Sequence, residues 1–388
     1  MSARVEAGPL AGVKVIELAG IGPAPFCGML LSDLGADIIR IDRQLRSDLG
    51  LTIASEFDFT SRGRRSITAD LKSKSSIEAI LKLVERADVL IEGFRPGVIE
   101  RLGLGPDVLL ARNPRLVIGR VTGWGQEGPL AQAAGHDINY IAITGALACI
   151  GREGERPVVP LNLVGDYGGG AVYLAFGVVS ALLHASKSRK GQVVDAAMVD
   201  GATSLMALFY GRHAAGLWKS GRASNELDGG APWYDTYQTK DKRYIAIGAI
   251  EPKFFQELLK CLGIDAADWM RPDDPVCWPD LRRCLEATFA KRTRDEWDAL
   301  LQGSDACYAP ILDLAEAPMH PHSQARQAFV EVDGITQPNV APRFSITPGE
   351  IKRSAPQPGQ GGLEALRCWD LTESEIDEMR RGGIGWSS

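Results

Sequence analysis

The sequence lacks the features that mark several protein classes. None of its seven cysteines forms a C-x-x-C pair and their number is odd, which disfavours a disulfide framework and indicates a reducing compartment. No two of its five histidines have metal-ligand spacing with a supporting carboxylate, so we expect no metal site. The sequence shows neither a long apolar run nor an apolar signal core at its start. We therefore expect a cytoplasmic protein with no membrane and no metal as partner.

Positive charge is also scarce. The net charge of −6 argues against nucleic acid as a partner, although a few well-placed arginines suffice to bind a phosphate-bearing ligand. The chain has 388 residues, of which 45% are hydrophobic and 24% are charged. That composition is typical of a globular protein, and the length favours two domains over a single core.

Apolar strands and helices alternate through the first half of the chain. This pattern favours an α/β fold built on a doubly wound parallel sheet. The first strand-to-helix turn, from Ala19 to Pro25, lacks the G-x-G-x-x-G fingerprint, so we do not expect a nicotinamide site. Asp42 ends the second strand, and we expect it to serve as a surface or capping residue rather than to bind ribose. Strands are predicted over residues 13–18, 36–42, 65–70, 88–92, 116–121 and 193–199.

The second half of the chain has a different pattern. Residues 233–239 and 243–248 alternate like the strands of an antiparallel hairpin, and helices follow. We predict a large domain over residues 1–210, a linker over 211–232, a small α+β domain over 233–325 and a C-terminal segment over 326–388. That last segment is too polar to form its own core, so it must pack on another part of the protein.

Basic residues recur where the predicted strands end. Arg43, Lys72, Arg95 and Arg101 all fall at or just after these ends, where ligands of such sheets bind. Any one of them alone would be interpreted as a solvated loop charge. Four in the same recurrent position predict a polyphosphate site, because arginine forks match phosphate geometry.

Two further residues are candidates for acid–base chemistry. His136 begins a predicted helix, where the helix dipole favours the neutral imidazole that a base needs, although most histidines in this position are structural. Asp166 precedes three glycines. It is either an ordinary helix cap or a carboxylate beside backbone that a ligand approaches closely. Together they could remove a proton from one face of a carbon and return it to the other.

A third carboxylate, Glu251, follows an apolar strand and is fixed by Pro252. By itself it is best interpreted as an acid in the first turn of a helix. It would gain a functional role only if the fold brought it to His136.

Nine segments together resemble one family, the family III CoA-transferase superfamily (CaiB/BaiF-like), and most closely its bacterial α-methylacyl-CoA racemases. They occur in order along nearly the whole chain. The segments are Ala19-Gly-Ile-Gly-Pro23, Asp33-Leu-Gly-Ala-Asp37, Ala69-Asp-Leu-Lys72, Glu92-Gly-Phe-Arg-Pro96, Gly123-Trp-Gly-Gln-Glu-Gly-Pro129, Gly135-His-Asp-Ile-Asn-Tyr140, Gly165-Asp-Tyr-Gly-Gly-Gly170, Gly229-Gly-Ala-Pro232 and Ala341-Pro-Arg-Phe-Ser345.

The resemblance implies an architecture. The large domain would be Rossmann-like and bind CoA, the C-terminal segment would return to it, and two subunits would interlock as a homodimer. The active site would lie between the large domain of one subunit and the small domain of the other. The reaction would invert the α-carbon of a 2-methylacyl-CoA thioester, with CoA bound as part of the substrate and no further cofactor.

The resemblance also implies residue roles. His136 and Asp166 would be the two bases, Glu251 would support the histidine, and the Asp166 N–H would be an oxyanion donor. The segment from Arg46 to Asp58 cannot be placed on the family pattern. The residues expected to contact CoA are Arg43, Ala69, Asp70, Leu71, Lys72, Gly93, Phe94, Arg95, Arg101, Gly135, Asp137, Asn139 and Tyr140.

Two other functions compete with the racemase. In a CoA-transferase, Asp166 would be the nucleophile, passing through an anhydride and then an aspartyl-CoA thioester. Such an enzyme has no need of a second base, so His136 and Glu251 favour the racemase. A non-catalytic CoA-binding protein would need none of the three residues. The sequence does not identify the acyl group, which could be a branched fatty chain, a steroid side chain or an arylpropionate.

Overall fold

The computed structural model describes residues 8–44, 53–269 and 275–387, so most of the segment from Arg46 to Asp58 lies outside the described residues. The chain divides into two compact units. The first takes in the described residues up to Thr144, Leu161–Leu205 and those from Gln324 onward, and the second takes in Gly145–Pro160 and the described part of Met206–Ser323. Residues 145–160 were expected in the large domain, but here Arg152 pairs with Asp235 of the second unit at 2.7 Å. The predicted functional division of the chain stays a prediction.

A six-stranded sheet forms the centre of the first unit. All its pairings are parallel and its order is β3-β2-β1-β4-β5-β6. The predicted parallel α/β fold is confirmed. The strands are β1 (Lys14–Leu18), β2 (Asp37–Asp42), β3 (Arg65–Thr68), β4 (Val89–Glu92), β5 (Val117–Thr122) and β6 (Gln192–Ala197).

Helices alternate with most strands of the six-stranded sheet and continue through the rest of the described chain. Ten residues, Leu163–Val172, form a π-helical segment that continues directly into α7. The helices are α1 (Pro23–Asp33), α2 (Lys74–Val84), α3 (Val98–Arg101), α4 (Pro106–Arg112), α5 (Asp137–Ala142), α6 (Ala146–Cys149), α7 (Tyr173–Ser188), α8 (Met198–Leu205), α9 (Ala207–Ala214), α10 (Pro252–Leu262), α11 (Trp278–Phe289), α12 (Arg294–Leu301), α13 (Pro321–Ala325), α14 (Gly362–Cys368) and α15 (Glu373–Arg381).

The sheet is buried on both faces, as parallel sheets are. On one face, α2 and the C-terminal helices α14 and α15 pack against Ile16, Ile39 and Leu90. On the other, α1 and α7 pack against Val15 and Ile38. The α/β layering explains why the central strands β1 and β4 are largely apolar and buried.

The C-terminal segment packs on the first unit's sheet. Trp369 is fully buried and its indole N–H donates to Asp37 Oδ2 at 3.0 Å. Backbone bridges join Ser66 to Gly361 and Thr68 to Gly385. The sequence did not predict α14, because its side chains gain apolar contacts only against the sheet. It also did not predict the hairpin of β10 (Phe329–Val332) and β11 (Ile335–Pro338), where Gln337 accepts a hydrogen bond from Arg62 at 2.9 Å.

The second unit has its own small core. Strands β7 (Tyr234–Gln238), β8 (Tyr244–Gly248) and β9 (Tyr308–Pro310) form an antiparallel sheet, as the predicted hairpin requires. Trp233, Tyr237, Phe255, Phe289 and Trp297 are buried around it. Aromatic side chains bury a large apolar area each, which helps so small a core to form.

One helical run is long and apolar enough to cross a membrane by length and composition. It covers Leu163–Ser188 and has a mean hydropathy of 1.5. The sequence predicts an apolar helix over residues 168–186, which lies within this run. Leu174 and Val178 are fully buried in the core of the first unit, although only 39% of the apolar window is buried.

Candidate active site

The candidate site lies at the carboxyl ends of the parallel strands. In the order β3-β2-β1-β4-β5-β6, the connections reverse direction between the neighbours β1 and β4. Ligands of open α/β sheets bind in the crevice at such a switch point. The loop after β1 leads through Gly22 into α1, and the Gly93 backbone after β4 lies close to Ala24 of α1. The loops after β1 and β4 therefore meet at the switch point, where a ligand of such a sheet is expected.

His136 is presented by a tightly held backbone. It is the N-cap of α5, and its N–H donates to Asn139 Oδ1 at 3.0 Å. The Tyr140 hydroxyl donates to the Gly135 carbonyl, and the Tyr140 ring meets Trp124 edge-on, with centroids 4.9 Å apart. The histidine itself is exposed. Its backbone is thus fixed while its imidazole stays accessible, as a proton carrier requires.

Asp166 lies inside the π-helical segment, four residues after the N-cap Asn162. The interpretation of Asp166 as a helix cap is therefore wrong. Asn162 Nδ2 donates to Asp166 Oδ2 at 3.2 Å, and a side-chain carbon on Gly22 would lie 3.3 Å from the same oxygen. The neighbouring Tyr167 stacks on Phe26 of α1, with centroids 4.4 Å apart. π-helical turns are rare and often mark functional sites.

The surroundings of Asp166 raise the pKa of its carboxyl group. Burial is the main cause, and the negative charge of Asp137 adds to it. The hydrogen bond from Asn162 and the charge of His136 act in the opposite direction. A carboxyl group with a raised pKa exchanges protons closer to neutral pH, which suits acid–base work.

Asp137 connects the two candidate bases. It is 5% exposed, and its Oδ2 accepts the N–H groups of Gly165 and Asp166, each at 2.7 Å. A side-chain carbon on Gly165 would lie only 2.7 Å from that oxygen, so this approach requires glycine. The expectation that the Asp166 N–H is an oxyanion donor is wrong, because that N–H is bound to Asp137.

The glycines after Asp166 pack against the protein. A side-chain carbon on Gly169 would lie 2.6 Å from the Ala202 nitrogen of α8, and one on Gly170 would lie 2.8 Å from Met198. They therefore let two helices approach each other. The expectation that they bring a ligand to the backbone is not met at these two positions.

The residues expected to contact CoA lie where the sequence placed them, after neighbouring strands. Arg43 follows β2, residues 69–72 follow β3, and residues 93–95 follow β4. Arg43, Lys72, Arg95 and Arg101 are exposed. Their basic side chains are thus accessible at one edge of the sheet.

Three other residues of the predicted CoA set, Ala69, Asp70 and Leu71, make contacts within the protein. The Ala69 N–H donates to the Asp42 carbonyl at 2.9 Å, and Leu71 packs on the core. Asp42 itself pairs with Arg40 and accepts the Ser66 hydroxyl, which agrees with a structural role. Asp70 is exposed and its Oδ1 accepts the Lys72 N–H at 2.9 Å.

Tyr140 belongs to the same electrostatic neighbourhood. Burial, followed by the charge of Asp166, raises the pKa of its hydroxyl to about 12, while Arg95 opposes the shift and Asp137 adds to it. The side chains of Asp137, Asn139 and Tyr140 are engaged within the protein. Their predicted contact with CoA stays a prediction.

Glu251 lies in the second unit. It is the exposed N-cap of α10, and its side chain makes no capping hydrogen bond. Cys307 is close enough for the Glu251 charge to help raise the pKa of its thiol, after the larger effect of burial. The carboxylate therefore lies at a helix start and remains exposed, without bonding the helix backbone.

Two residues that support this site, Asn162 and Asp137, carry no signal in the sequence. Asn162 looks like any loop residue, and Asp137 was expected to touch CoA rather than backbone. An aspartate at the first position of a helix is common. Only the fold shows that its carboxylate reaches the turn that carries Asp166.

The chain belongs to the CoA-transferase family III, whose family model matches residues 10–361. It is 43% identical to the alpha-methylacyl-CoA racemase of Mus musculus and 39% identical to that of Homo sapiens, each over 97% of both chains. A crystal structure of a CAIB/BAIF family protein from Brucella suis superposes with a TM-score of 0.80 at 26% identity, covering 94% of this chain and 100% of that chain.

Proposed function

We propose that this protein is a racemase that inverts the α-carbon of 2-methylacyl-CoA thioesters. The observation that carries the proposal is that one side chain, that of Asp137, links the backbones that carry His136 and Asp166. Asp137, the residue after His136, accepts the Asp166 N–H at 2.7 Å. The charge of His136 is also near enough to lower the pKa of Asp166, against the larger effect of burial. Two relatives that align over 97% of the chain are named alpha-methylacyl-CoA racemase, which supports the same function.

The chemistry needs two proton carriers. An α-hydrogen beside a thioester is weakly acidic, so its removal requires a base and stabilisation of the enolate oxygen. His136 removes the proton from one epimer and Asp166 protonates the opposite face of the planar enolate, and the reverse reaction exchanges their roles. No separate cofactor takes part, since CoA arrives as part of the substrate.

The exposed basic residues at the strand ends fit the CoA phosphates. Arg43, Lys72 and Arg95 follow β2, β3 and β4 of one sheet, and Arg101 ends α3, which comes after β4. Their charges would hold the nucleotide end of the substrate. The thioester end would then lie toward the switch point, where Asp166 faces Gly22. The backbone of residues 69–72 and 93–95, with Gly135, completes the proposed CoA contacts.

We extend the proposal to an interlocked homodimer in which Glu251 of one subunit supports His136 of the other. A stripe of exposed apolar side chains on the π-helical segment and α7 supports this assembly. Val172, Phe176, Val179 and Leu183 are 47%, 73%, 41% and 59% exposed, at spacings that place them on one face. Such a stripe is costly in water and suits a subunit interface.

Hydrogen exchange in D2O tests the reaction. A purified racemase incorporates deuterium at the α-carbon of a 2-methylacyl-CoA and equilibrates its epimers without any acceptor acid. Fatty, steroid side-chain and arylpropionyl thioesters form the substrate panel. Transfer of CoA to an added acid, without α-exchange, would instead identify a transferase that uses Asp166 as nucleophile. CoA binding with neither reaction would identify a non-catalytic binding protein.

Subunit mixing tests the shared site. A His136→Gln chain and a Glu251→Gln chain are each expected to have little activity alone. In a heterodimer, one of the two shared sites regains both wild-type side chains, so co-expression restores activity. Mixed dimers that remain as inactive as the parents would contradict the shared site while leaving the exchange result untouched.

We expect the enzyme to be cytoplasmic.

A further inference from the structure

Asp137 has an unusual combination of contacts for a helix-start aspartate. One oxygen, Oδ2, accepts two successive backbone N–H groups, those of Gly165 and Asp166. The other, Oδ1, is buried without a hydrogen-bond partner among the described residues. A buried carboxylate oxygen without a partner is costly. The carboxylate is therefore retained against a stability cost, which points to a functional role.

Asp137 is placed to act on both proton carriers at once. Its backbone continues directly from His136, and its side chain holds the turn that carries Asp166. The group is only 5% exposed, so water screens its charge weakly. The proposed CoA contact of Asp137 does not require its side chain, which is already engaged.

We propose that Asp137 is the positioning residue of the two-base site: its carboxylate locks the Asp166 backbone to the His136 helix and places a buried negative charge beside Asp166. This inference rests on the proposed racemase function and deepens it. Without the two N–H bonds, the Asp166 turn would lose its fixed distance to the imidazole, and proton delivery depends steeply on such placement.

The charge has a separate effect. The charged groups that change the pKa of Asp166 are Asp137 and His136. Tyr140, which lies in α5 with Asp137, is near enough for the charge of Asp166 to raise the pKa of its hydroxyl. The neighbour on the α1 side, Gly22, does not titrate. The negative charge of Asp137 disfavours the Asp166 carboxylate, so its removal lowers the pKa of Asp166.

Two substitutions separate position from charge. In Asp137→Asn, the amide oxygen can still accept both N–H groups, because both bind the same oxygen, but the charge is gone. Asp137→Ala removes the hydrogen bonds as well. Asp88→Asn is the matched control, since Asp88 Oδ2 accepts the Lys14 N–H at 2.9 Å at the opposite, amino end of the strands.

The test measures racemisation across pH with a 2-methylacyl-CoA. For Asp137→Asn we expect the acid limb of kcat/KM to move down by about one pH unit. The active His136–Asp166 pair carries one proton in total, and the second proton, which inactivates the pair, would bind only at lower pH. For Asp137→Ala we expect kcat to fall roughly a hundredfold while KM changes little. Asp88→Asn should keep the wild-type profile.

An unshifted acid limb in Asp137→Asn, or an Asp137→Ala variant with wild-type kcat, would overturn the proposal. If Asp137→Ala does not fold, Asp137→Asn still decides. A readout independent of turnover is the carboxyl ¹³C resonance of Asp166, assigned by its loss in Asp166→Asn, which should titrate at lower pH in Asp137→Asn. Failure of the wild type to exchange α-hydrogen would sink the racemase itself, and is distinguishable from an unshifted limb or resonance.

Discussion

The two proposed proton carriers are mounted in opposite ways. His136 stands at the exposed start of a short helix, and its backbone N–H is held by Asn139. Asp166 sits within a π-helical segment, half-buried, with its N–H bound by Asp137 and its carboxylate by Asn162. One carrier is presented to solvent, and the other is enclosed.

The difference follows from the chemistry of the two side chains. Imidazoles titrate near neutral pH without help, whereas carboxyl groups ordinarily titrate near pH 4. A two-base site works best when both groups can gain and lose a proton at the same pH. Burial and a neighbouring negative charge raise the pKa of Asp166, so enclosure is needed only for the carboxylate. The burial of Asp166 thus reduces the difference between the pKa of a carboxyl group and that of an imidazole.

The sharpest way to break this comparison is to remove each carrier alone. We expect His136→Gln and Asp166→Asn each to lower racemisation by about a thousandfold. Each variant should still exchange the α-hydrogen of the epimer whose base remains, so the two variants should label opposite epimers in D2O. Mass spectrometry of resolved epimers measures this. Loss of exchange from the same epimer in both variants would show that the carriers do not face opposite sides of the substrate.

A smaller change removes only the side-chain hydrogen bond that holds the backbone of His136. Asn139→Ala removes the acceptor of the His136 N–H, and a lost helix-start hydrogen bond costs about 1 kcal/mol. We expect kcat to fall by roughly fivefold, since the imidazole would sample more positions. The matched control is Asn113→Ala, because Asn113 also holds backbone, through the carbonyls of Val84 and Ala87, away from the site. An unchanged kcat would show that the Asn139 contact does not position the histidine.

The smallest effect concerns stability. A carboxyl group whose pKa is raised by folding is ionised at a cost, which is absent below its unfolded pKa and complete above its folded pKa. Asp166→Asn removes that cost, so its Tm at pH 8 should exceed that of the wild type by about 1–2 °C. The difference should shrink toward pH 4. Differential scanning calorimetry measures both values, and a variant less stable than the wild type at pH 8 would contradict the burial argument.

Much of the fold could be predicted from sequence, because its signals are local. The central strands β1 and β4 are apolar stretches bounded by turn residues, and the hairpin of the second unit alternates with period two. The helix α14 and the burial of Trp369 escaped prediction, because their apolar contacts form only against the sheet. The place of residues 145–160 escaped for another reason, since Arg152 pairs with Asp235 far along the chain.

The sequence by itself determined the candidate bases and the basic residues at the strand ends, since side-chain type and position relative to strands are written in the chain order. Tertiary structure alone decided how the bases are held. Twenty-eight residues separate Asp137 from Gly165, and no local pattern tells which carboxylate will fold onto which backbone N–H. Hydrogen bonds and burial depend on proximity in space, so the mounting and tuning of Asp166 emerge only from the packed fold.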